Sequence, residues 1–304
     1  MRLAILSTTL AEEEFLDSMQ DFRRAAEERG HSCALVRHGG LGLAVGGALG
    51  ELLWGEGAAE LAAADLVIPR LNQRQLTRSD FYILDALERQ GTAFLNPIAA
   101  IASARSKITT LQHLHAAGLP VPATVLARTW EGLEDALRLL PEGPWVVKPA
   151  MGSKGRDIAL ARTAADLRVV FEQRWEANRH EILLIQEYLA TVAERPWDLR
   201  VLVLLGEVVG AMRREAPAGE FRANYSLGGA VQAVRLDPEF AALAVRAAET
   251  LDLDLAGVDI LVGPDGPRVL EVNANPGWEG ISGAMAAAGD DFFARFLSIL
   301  ESRA

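Results

Sequence analysis

The amino-acid sequence predicts an α/β unit followed by an α+β region. Strand and helix patterns alternate over the first hundred residues, antiparallel hairpin patterns follow them, and a strong turn sequence around Asp265 separates two apolar strands. Alternating strands and helices are typical of a parallel sheet with helical cover. The chain has 304 residues, 50% of them hydrophobic, which is enough for roughly two or three domains.

The first unit is expected to span residues 1–96. An apolar strand at Leu3–Leu6 precedes an amphipathic helix, and further strands and helices alternate up to Asn96-Pro97, where proline disfavours helix in the preceding residue. The apolar region Leu41–Ala64 contains three glutamates and many glycines, so it is predicted to be helix and loop and not a membrane span.

Two α+β units are expected after this boundary, over residues 97–186 and 187–304. A helix from about Ala104 to Ala117 is predicted first, because Gly118 and Pro120 follow it as stop signals. The strand patterns "PWVVKP", "EILLIQEYL" and "LRVLVLLGEVVGAMRRE" come next, with helices between and after them. The sequence shows no internal repeat and no low-complexity tail.

Charge and cysteine content limit the partners and the compartment. The net charge is −11 and the pI about 5.0, so non-specific binding to nucleic acid or to an anionic membrane is not expected. Cys33 is the one cysteine, which excludes an internal disulfide and fits a reducing compartment, most simply the cytoplasm. Only five residues separate Arg2 from Thr8, which is too short for the core of a signal peptide.

The stretch "GVDILVGPDGPRVLEVNANPG" is predicted to form a hairpin, because "GPDGP" is a strong turn sequence between two apolar strands. Side chains alternate between the two faces of a hairpin whose turn is centred on Asp265. The apolar face then carries Ile260, Val262, Leu270 and Val272. The polar face carries Asp259, Glu271 and Asn273.

In this register Asp259 lies opposite Glu271. Like charges placed across strands destabilise a sheet unless something positive lies between them. A divalent cation answers this need, and Mg²⁺ suits two carboxylates, an amide oxygen and substrate phosphates. From these residues alone, an Asp259 that simply faces water at a sheet edge is an equally good interpretation.

Three other motifs are weak when taken singly. Lys148 lies on a strand and is followed by a loop with Gly152 and Gly155, whose backbone could approach phosphate closely. The pattern differs from the Walker motif and is equally compatible with an ordinary hairpin loop. Lys107 on its helix and Glu187-Tyr188 at a strand end are likewise unremarkable alone.

Together and in this order, the motifs resemble the ATP-grasp superfamily, and more closely its RimK-type amino-acid ligases. The resemblance is carried by "NPIAAIASARSKITTLQHLHAAGLPVP", "WVVKPAMGSKG", "IQEYL", "WDLRVLVL", "GEFRANYSLGGA", "LAGVDIL" and "LEVNANPGWEGI", which span roughly residues 95–285. The resemblance implies an ATP-grasp fold, in which a parallel α/β pre-ATP-grasp unit is followed by two α+β subdomains that clamp ATP.

The resemblance also implies roles for individual residues. Contacts to ATP are implied for Lys107, Lys148, Gly152, Ser153, Gly155, Glu187, Tyr188, Leu189, Asp198, Arg222, Ala223 and Asn224. Two Mg²⁺ or Mn²⁺ ions are implied at Asp259, Glu271 and Asn273, with Glu271 bridging them. Contacts to the acyl phosphate or the carboxylate are expected from Arg214 and Arg222, with Asn273 as the third catalytic residue.

The implied activity is a Mg-ATP-dependent carboxylate–amine ligase. ATP would phosphorylate a carboxylate, and an amine would displace phosphate to form an amide, with an amino acid (glutamate favoured) joined to a protein, peptide or small molecule. Ribosomal protein modification is one such reaction in RimK-type enzymes. The alternatives are a non-catalytic ATP-binding sensor and a kinase that stops at phosphorylation. The resemblance further suggests a homodimer or tetramer.

The sequence departs from the family near the expected acceptor site. Members often have Glu-Arg-Arg where this chain has Arg213-Arg214-Glu215, and a basic pair where this chain has Ser226-Leu227. Trp197 and Trp278 flank motif residues and are candidates for substrate contact. These differences leave the use of ATP and metal intact but leave the acceptor open.

Overall fold

The computed structural model describes residues 1–8, 13–71, 78–151, 157–191, 195–223 and 229–303. The strands are β1 (Arg2–Ser7), β2 (Ser32–Arg37), β3 (Leu41–Val45), β4 (Glu51–Gly55), β5 (Leu66–Arg70), β6 (Thr124–Ala127), β7 (Trp145–Pro149), β8 (Ala159–Ala161), β9 (Leu183–Glu187), β10 (Trp197–Leu204), β11 (Glu207–Glu215), β12 (Ala230–Ala233), β13 (Leu255–Gly263) and β14 (Gly266–Asn273). The helices are α1 (Glu13–Glu28), α2 (Ala58–Ala63), α3 (Arg78–Arg89), α4 (Ile98–Ala104), α5 (Lys107–Ala116), α6 (Trp130–Ala136), α7 (Ala164–Ala177), α8 (Pro238–Thr250), α9 (Glu279–Ala287) and α10 (Phe292–Arg303).

The N-terminal sheet is parallel, as the alternation of strands and helices predicts. Its strand order is β2-β1-β5, and β1 pairs in parallel with both neighbours. Residues 3–7 of β1 are all buried, because a central parallel strand is covered on both faces.

The prediction of helix and loop for Leu41–Ala64 is wrong for two segments, Leu41–Val45 and Glu51–Gly55, which are strands. Strands β3 and β4 form an antiparallel hairpin with a short 3-10 helix, Gly47–Leu49, between them, and α2 is the α-helix of the region. Gly55 ends the hairpin with a φ of +114°, and a Cβ added there would lie 2.1 Å from the carbonyl oxygen of Gly40. Glycine thus marks a strand end here, which a reading based on apolar content alone does not detect.

Replacing Gly55 with alanine is expected to lower the free energy of unfolding by about 1–3 kcal/mol, because alanine is strained at positive φ and meets a fixed backbone oxygen. Chemical denaturation of the purified variant measures this change. Gly39→Ala is the matched control, since no atom lies within 4 Å of the added carbon. Equal stability of both variants would contradict the hairpin geometry.

The predicted helix from about Ala104 to Ala117 is present as α5, which begins at Lys107, after α4 has ended at Ala104. Ser106 lies in the break between the two helices as the N-cap of α5, and its hydroxyl accepts a hydrogen bond from the Thr109 N–H at 3.3 Å. Lys107 consequently stands in the first turn of α5, and its backbone N–H donates to the carbonyl of Ala150, the residue after β7. The break therefore brings Lys107 to the end of the strand that carries Lys148.

The predicted antiparallel hairpins form two sheets. A four-stranded sheet has the order β6-β9-β7-β8, and a five-stranded sheet has the order β12-β11-β10-β13-β14, with antiparallel pairing throughout. Alternate residues of β10 enter two different apolar clusters, so both faces of the larger sheet are covered along that strand.

Among the described residues, no helix is long and apolar enough to cross a membrane.

The predicted pairing of Asp259 with Glu271 is confirmed, but the path to it differs from the prediction. The turn lies between Gly263 and Gly266, and not symmetrically about Asp265. A β-bulge then inserts Leu270 between the pair Ile260–Val269 and the pair Asp259–Glu271, which restores the expected register. Val269 takes the buried position instead of Leu270, which lines the cleft beside Glu271.

Candidate functional site

A cleft of about 1000 Å³, open mouth included, is lined by both antiparallel sheets. Its size suits a nucleotide, since ligand pockets commonly enclose a few hundred to about 1000 Å³. The predicted site residues that line it are Lys107, Lys148, Glu187, Tyr188, Leu189, Asp198, Arg214, Arg222, Ala223, Asp259 and Glu271. Asn273 lines a second cavity, which shares Lys107 and Glu271 with the first.

Lys148 reaches the cleft from β7 with only 5% of its surface exposed. Its ammonium donates to the Gln186 side-chain carbonyl at 2.9 Å, and the Gln186 amide donates to the Thr124 hydroxyl at 2.8 Å. Burial lowers the pKa of Lys148 to about 8, against the attraction of Glu271 and with some repulsion from Lys107. Lys107 and Glu271 therefore both lie close enough to Lys148 to influence its pKa.

Sequence reasoning missed Gln186, which positions Lys148. The available signal was a single amide in the apolar strand "LLIQE", because a buried amide needs hydrogen-bond partners. Gln186 is 1% exposed, and its cross-strand position beside β7 gives it the lysine as partner. The prediction for this strand named only Glu187 and Tyr188, at the strand end, as candidate site residues.

The predicted adenine hinge borders apolar walls of the cleft. Val146, Ile158, Leu189 and Leu270 contribute apolar surface to the cleft. The Glu187 carboxylate accepts a hydrogen bond from the Ala123 N–H at 2.8 Å. This residue therefore lines the cleft and also bonds to the chain just before β6.

Two arginines are bonded to the two buried aspartates of the cleft. Arg214 forms a bidentate pair with Asp198, at 2.6 Å for each hydrogen bond, and its Nη2 lies 3.0 Å from Asp259. Arg200 also binds Asp259 through both guanidinium nitrogens that face it, one of them at 2.7 Å. Burial alone would raise the pKa of the Asp259 carboxyl, but these two guanidiniums outweigh it and hold that pKa below its usual range.

This network corrects the electrostatic argument made from the hairpin. The positive charge beside Asp259 comes from Arg200 and Arg214, so the facing carboxylates do not by themselves require a cation. Arg214 was predicted to contact the acyl phosphate or the carboxylate. In this structure its guanidinium donates hydrogen bonds to Asp198 instead.

The donor set still fits a hard divalent cation. Within the described part of the chain, neither the Glu271 carboxylate nor the Asn273 amide has a side-chain hydrogen-bond partner, so their oxygens are available. No group of three or more His, Cys, Asp or Glu side chains suited to a metal occurs among the described residues. A cation here would therefore use Asp259, Glu271, the Asn273 amide and phosphate oxygens, a combination that Mg²⁺ accepts.

Arg222 lines the cleft beside Ala223 and is paired with Glu220. Its Nη2 donates to the Glu220 carboxylate at 2.6 Å, and hydrogen bonds led by Arg222 lower the pKa of Glu220 to about 2. Both side chains remain partly exposed, so solvent screens the pair. The predicted ATP contacts Gly152, Ser153, Gly155 and Asn224, and the departure at Ser226-Leu227, lie outside the described residues.

The two tryptophans predicted near substrate have different environments. Trp197 lines the cleft, and the guanidinium of Arg213 stacks on its ring at 4.5 Å. Trp278 has no exposed surface and packs among phenylalanines of the core, so the prediction of substrate contact is wrong for it.

Comparison with known proteins agrees with this geometry. A family model for a RimK pre-ATP-grasp domain matches residues 1–101, and one for a RimK-like ATP-grasp domain matches residues 104–291. The solved structure of the ATP-grasp ligase PsnB complexed with minimal precursor is similar in fold, with a TM-score of 0.73 and 23% identity over 99% of each chain. The fold is therefore that of the ATP-grasp ligases.

Relatives with higher sequence identity indicate which class of ATP-grasp ligase this chain belongs to. The chain is 34% identical to a probable alpha-L-glutamate ligase of Klebsiella pneumoniae (strain 342), over all of this chain and 97% of that protein. It is 34% identical, with the same coverage, to a ribosomal protein bS6--L-glutamate ligase of Salmonella paratyphi B. The chain belongs to the RimK-like family of ATP-grasp proteins and is an ATP-dependent ligase that forms carbon–nitrogen bonds.

Proposed function

We propose that this enzyme uses Mg-ATP to activate a carboxylate and joins an amino acid, L-glutamate in the first instance, to it. The observation that carries the proposal is the shared cleft, which is lined by the lysines Lys107 and Lys148 and by the carboxylates Asp259 and Glu271. Such a cleft offers cations for phosphates and free oxygens for a metal within one site. The names of the relatives support glutamate as the amino acid and a protein tail as one acceptor class.

ATP would enter with its adenine against the apolar walls and its phosphates toward the lysines. Lys148 is held in place by Gln186 before substrate arrives, so little reorganisation is needed. Asp198 is the proposed ribose contact, and Tyr188 and Leu189 the proposed hinge. We assign further phosphate contacts to Arg222, Ala223 and the residues Gly152, Ser153, Gly155 and Asn224.

Asp259, Glu271 and Asn273 would hold two Mg²⁺ or Mn²⁺ ions, which would neutralise the phosphate oxygens during transfer. Asp259 would exchange part of its contact with Arg200 and Arg214 when the cations bind. The released guanidinium surface of Arg214, together with Arg222, would then face the anionic substrate. This exchange explains how one arginine can be bonded to aspartates in this structure and still serve the reaction.

The reaction conserves atoms in two steps. An acceptor carboxylate oxygen attacks the γ-phosphorus, the bond to the β-phosphate oxygen breaks, and ADP leaves. The amine of the incoming amino acid then attacks the acyl carbon, the bond to the phosphate oxygen breaks, and an amide, inorganic phosphate and a proton are formed. The chain's own part is to align the groups and to stabilise the transferred charge.

We also propose a division into three units, residues 1–96, 97–186 and 187–304, with ATP held between the second and the third. A homodimer or tetramer and an intracellular site of action are part of the same proposal. Size-exclusion chromatography with light scattering tests the assembly.

The test of function is ADP release with Mg-ATP across the twenty amino acids, each with and without a pooled peptide and protein extract. Mass spectrometry of the extract reads the product. We expect ADP release with L-glutamate and a mass increase of one glutamate residue in an acceptor. A phosphorylated product that is stable to amines would indicate a kinase, and ATP binding without ADP release under every condition would contradict the proposal.

A further inference from the structure

The chain leaves the five-stranded sheet immediately after Asn273. The Asn96 side chain forms hydrogen bonds with backbone groups of β13 and of the departing chain, where the two no longer pair with each other. Asn273 pairs with Gly257, the last residue pair of the β13–β14 ladder. Beyond it, the Asn96 side chain accepts from the Leu255 N–H at 2.7 Å and donates to the Leu255 and Ala274 carbonyls at 2.8 Å each. Asn96 is 1% exposed, so these are buried bonds.

Arg70, at the end of β5, holds the next residues of the departing chain. Its Nη1 donates to the Asn275 side-chain oxygen at 2.7 Å and to the Pro276 carbonyl at 2.5 Å. The Asn275 amide donates back to the Leu71 carbonyl at 2.5 Å. The guanidinium also stacks on the Trp278 ring, 4.1 Å from its centroid.

The loop that follows Asn273 also packs closely against the sheet. A Cβ added to Gly257 would lie 2.7 Å from the Cβ of Pro276, so the proline packs directly on the glycine. The residues after Asn273 are thus held on three sides, by Asn96, by Arg70 and by Gly257. Asn275, which stands in the same polar cluster as Glu271 and Asn273 in the sequence, bonds to the N-terminal unit and lines neither cavity described above.

Burying the Arg70 guanidinium is energetically unfavourable if its role is only to fill space in the core. Arg70 is 5% exposed, and among the described residues its hydrogen-bond acceptors are neutral oxygens, not carboxylates. Glu279 attracts the Arg70 guanidinium, but burial outweighs this attraction and lowers the pKa of Arg70 to about 10. A buried guanidinium that lacks a hydrogen-bonded carboxylate opposes folding. Outer residues that fix the orientation of metal ligands commonly change metal affinity 10–100-fold when removed.

We propose that Arg70 and Asn96 are positioning residues for the metal site, acting through the loop that follows Asn273. They fix the direction in which the chain leaves β14 and therefore the position of the Asn273 amide beside Glu271. The catalytic centre would then depend on the N-terminal unit, although none of its proposed ligands lies there. The inference rests on the proposed metal site at Asp259, Glu271 and Asn273.

The experiment measures Mn²⁺ binding by electron paramagnetic resonance of free Mn²⁺, with ADP at saturation, in wild type, Arg70→Met and Arg29→Met. Arg29→Met is the matched control, because Arg29 joins the N-terminal unit to Glu301 of α10, away from the loop. We expect Mn²⁺ affinity at least about tenfold weaker in Arg70→Met and unchanged in Arg29→Met. ADP affinity measured in EDTA should be unchanged in both variants.

Unchanged Mn²⁺ affinity in folded Arg70→Met would overturn the inference and leave the proposed function standing. No Mn²⁺ binding by wild type would instead overturn the metal site and the inference with it. Asn275→Ala gives a second route if Arg70→Met does not fold, since it removes one of the two acceptors of Arg70 and keeps the arginine. Weaker Mn²⁺ binding by Asn275→Ala supports the inference, and wild-type binding overturns it.

Discussion

Glu271→Gln is expected to reduce ADP formation by about 10³-fold, because a metal ligand supplies several kcal/mol of charge stabilisation in the transition state. The same variant should fold as stably as wild type. Within the described part of the chain the Glu271 carboxylate has no hydrogen-bond partner to lose, and it faces the carboxylate of Asp259. Steady-state ADP release and thermal unfolding, measured on one preparation, check both statements.

Glu207→Gln is the matched control, since this carboxylate is exposed on β11 and lies outside the cleft. It should retain wild-type turnover. Wild-type turnover in Glu271→Gln would exclude Glu271 as a metal ligand. Loss of turnover together with loss of folding would show that the carboxylate supports the structure.

Lys148→Met is expected to lower kcat/KM for ATP by about 10²–10³-fold, because it removes a positioned cation from the phosphate site. It is also expected to raise the melting temperature. Burial lowers the pKa of Lys148 from 10.5 to about 8, so the unfolded chain binds more protons between these pH values. The contribution of Lys148 to stability therefore rises with pH through that window, and at neutral pH its buried charge opposes folding.

The pH dependence separates this account from a loss of packing. In wild type, kcat/KM for ATP should fall above a pH of about 8 as Lys148 loses its proton in the free enzyme. Gln186→Glu should move that fall to higher pH, because a carboxylate beside the ammonium favours its charged form. A basic limb that is identical in wild type and Gln186→Glu would contradict the role assigned to Lys148.

The sequence predicted the parts of the site that depend on local periodicity. Alternation along two strands placed Asp259 opposite Glu271, and the structure has this pair. The success was partly fortunate, because the shifted turn and the bulge at Leu270 compensate one another. Bulges have weak sequence signals, and here the bulge moved Leu270 into the cleft and Val269 into the core.

Contacts between distant segments could not be predicted in the same way. The bonds of Arg200 and Arg214 to Asp198 and Asp259 depend on the alignment of three strands, which no single pattern specifies. The docking of Asn275 on Arg70 joins positions that are 205 residues apart. A single sequence shows that these side chains are polar, but the partner of each is decided by tertiary structure.

The most direct test of the central claim is to follow ¹⁸O from an acceptor carboxylate during turnover. The acceptor identified in the extract is labelled at that carboxylate and incubated with the enzyme, Mg-ATP and L-glutamate. The proposed chemistry predicts that the inorganic phosphate carries ¹⁸O in proportion to the amide formed, because the carboxylate oxygen leaves with the phosphoryl group. Amide formation with unlabelled phosphate would contradict activation of the carboxylate by ATP in this cleft.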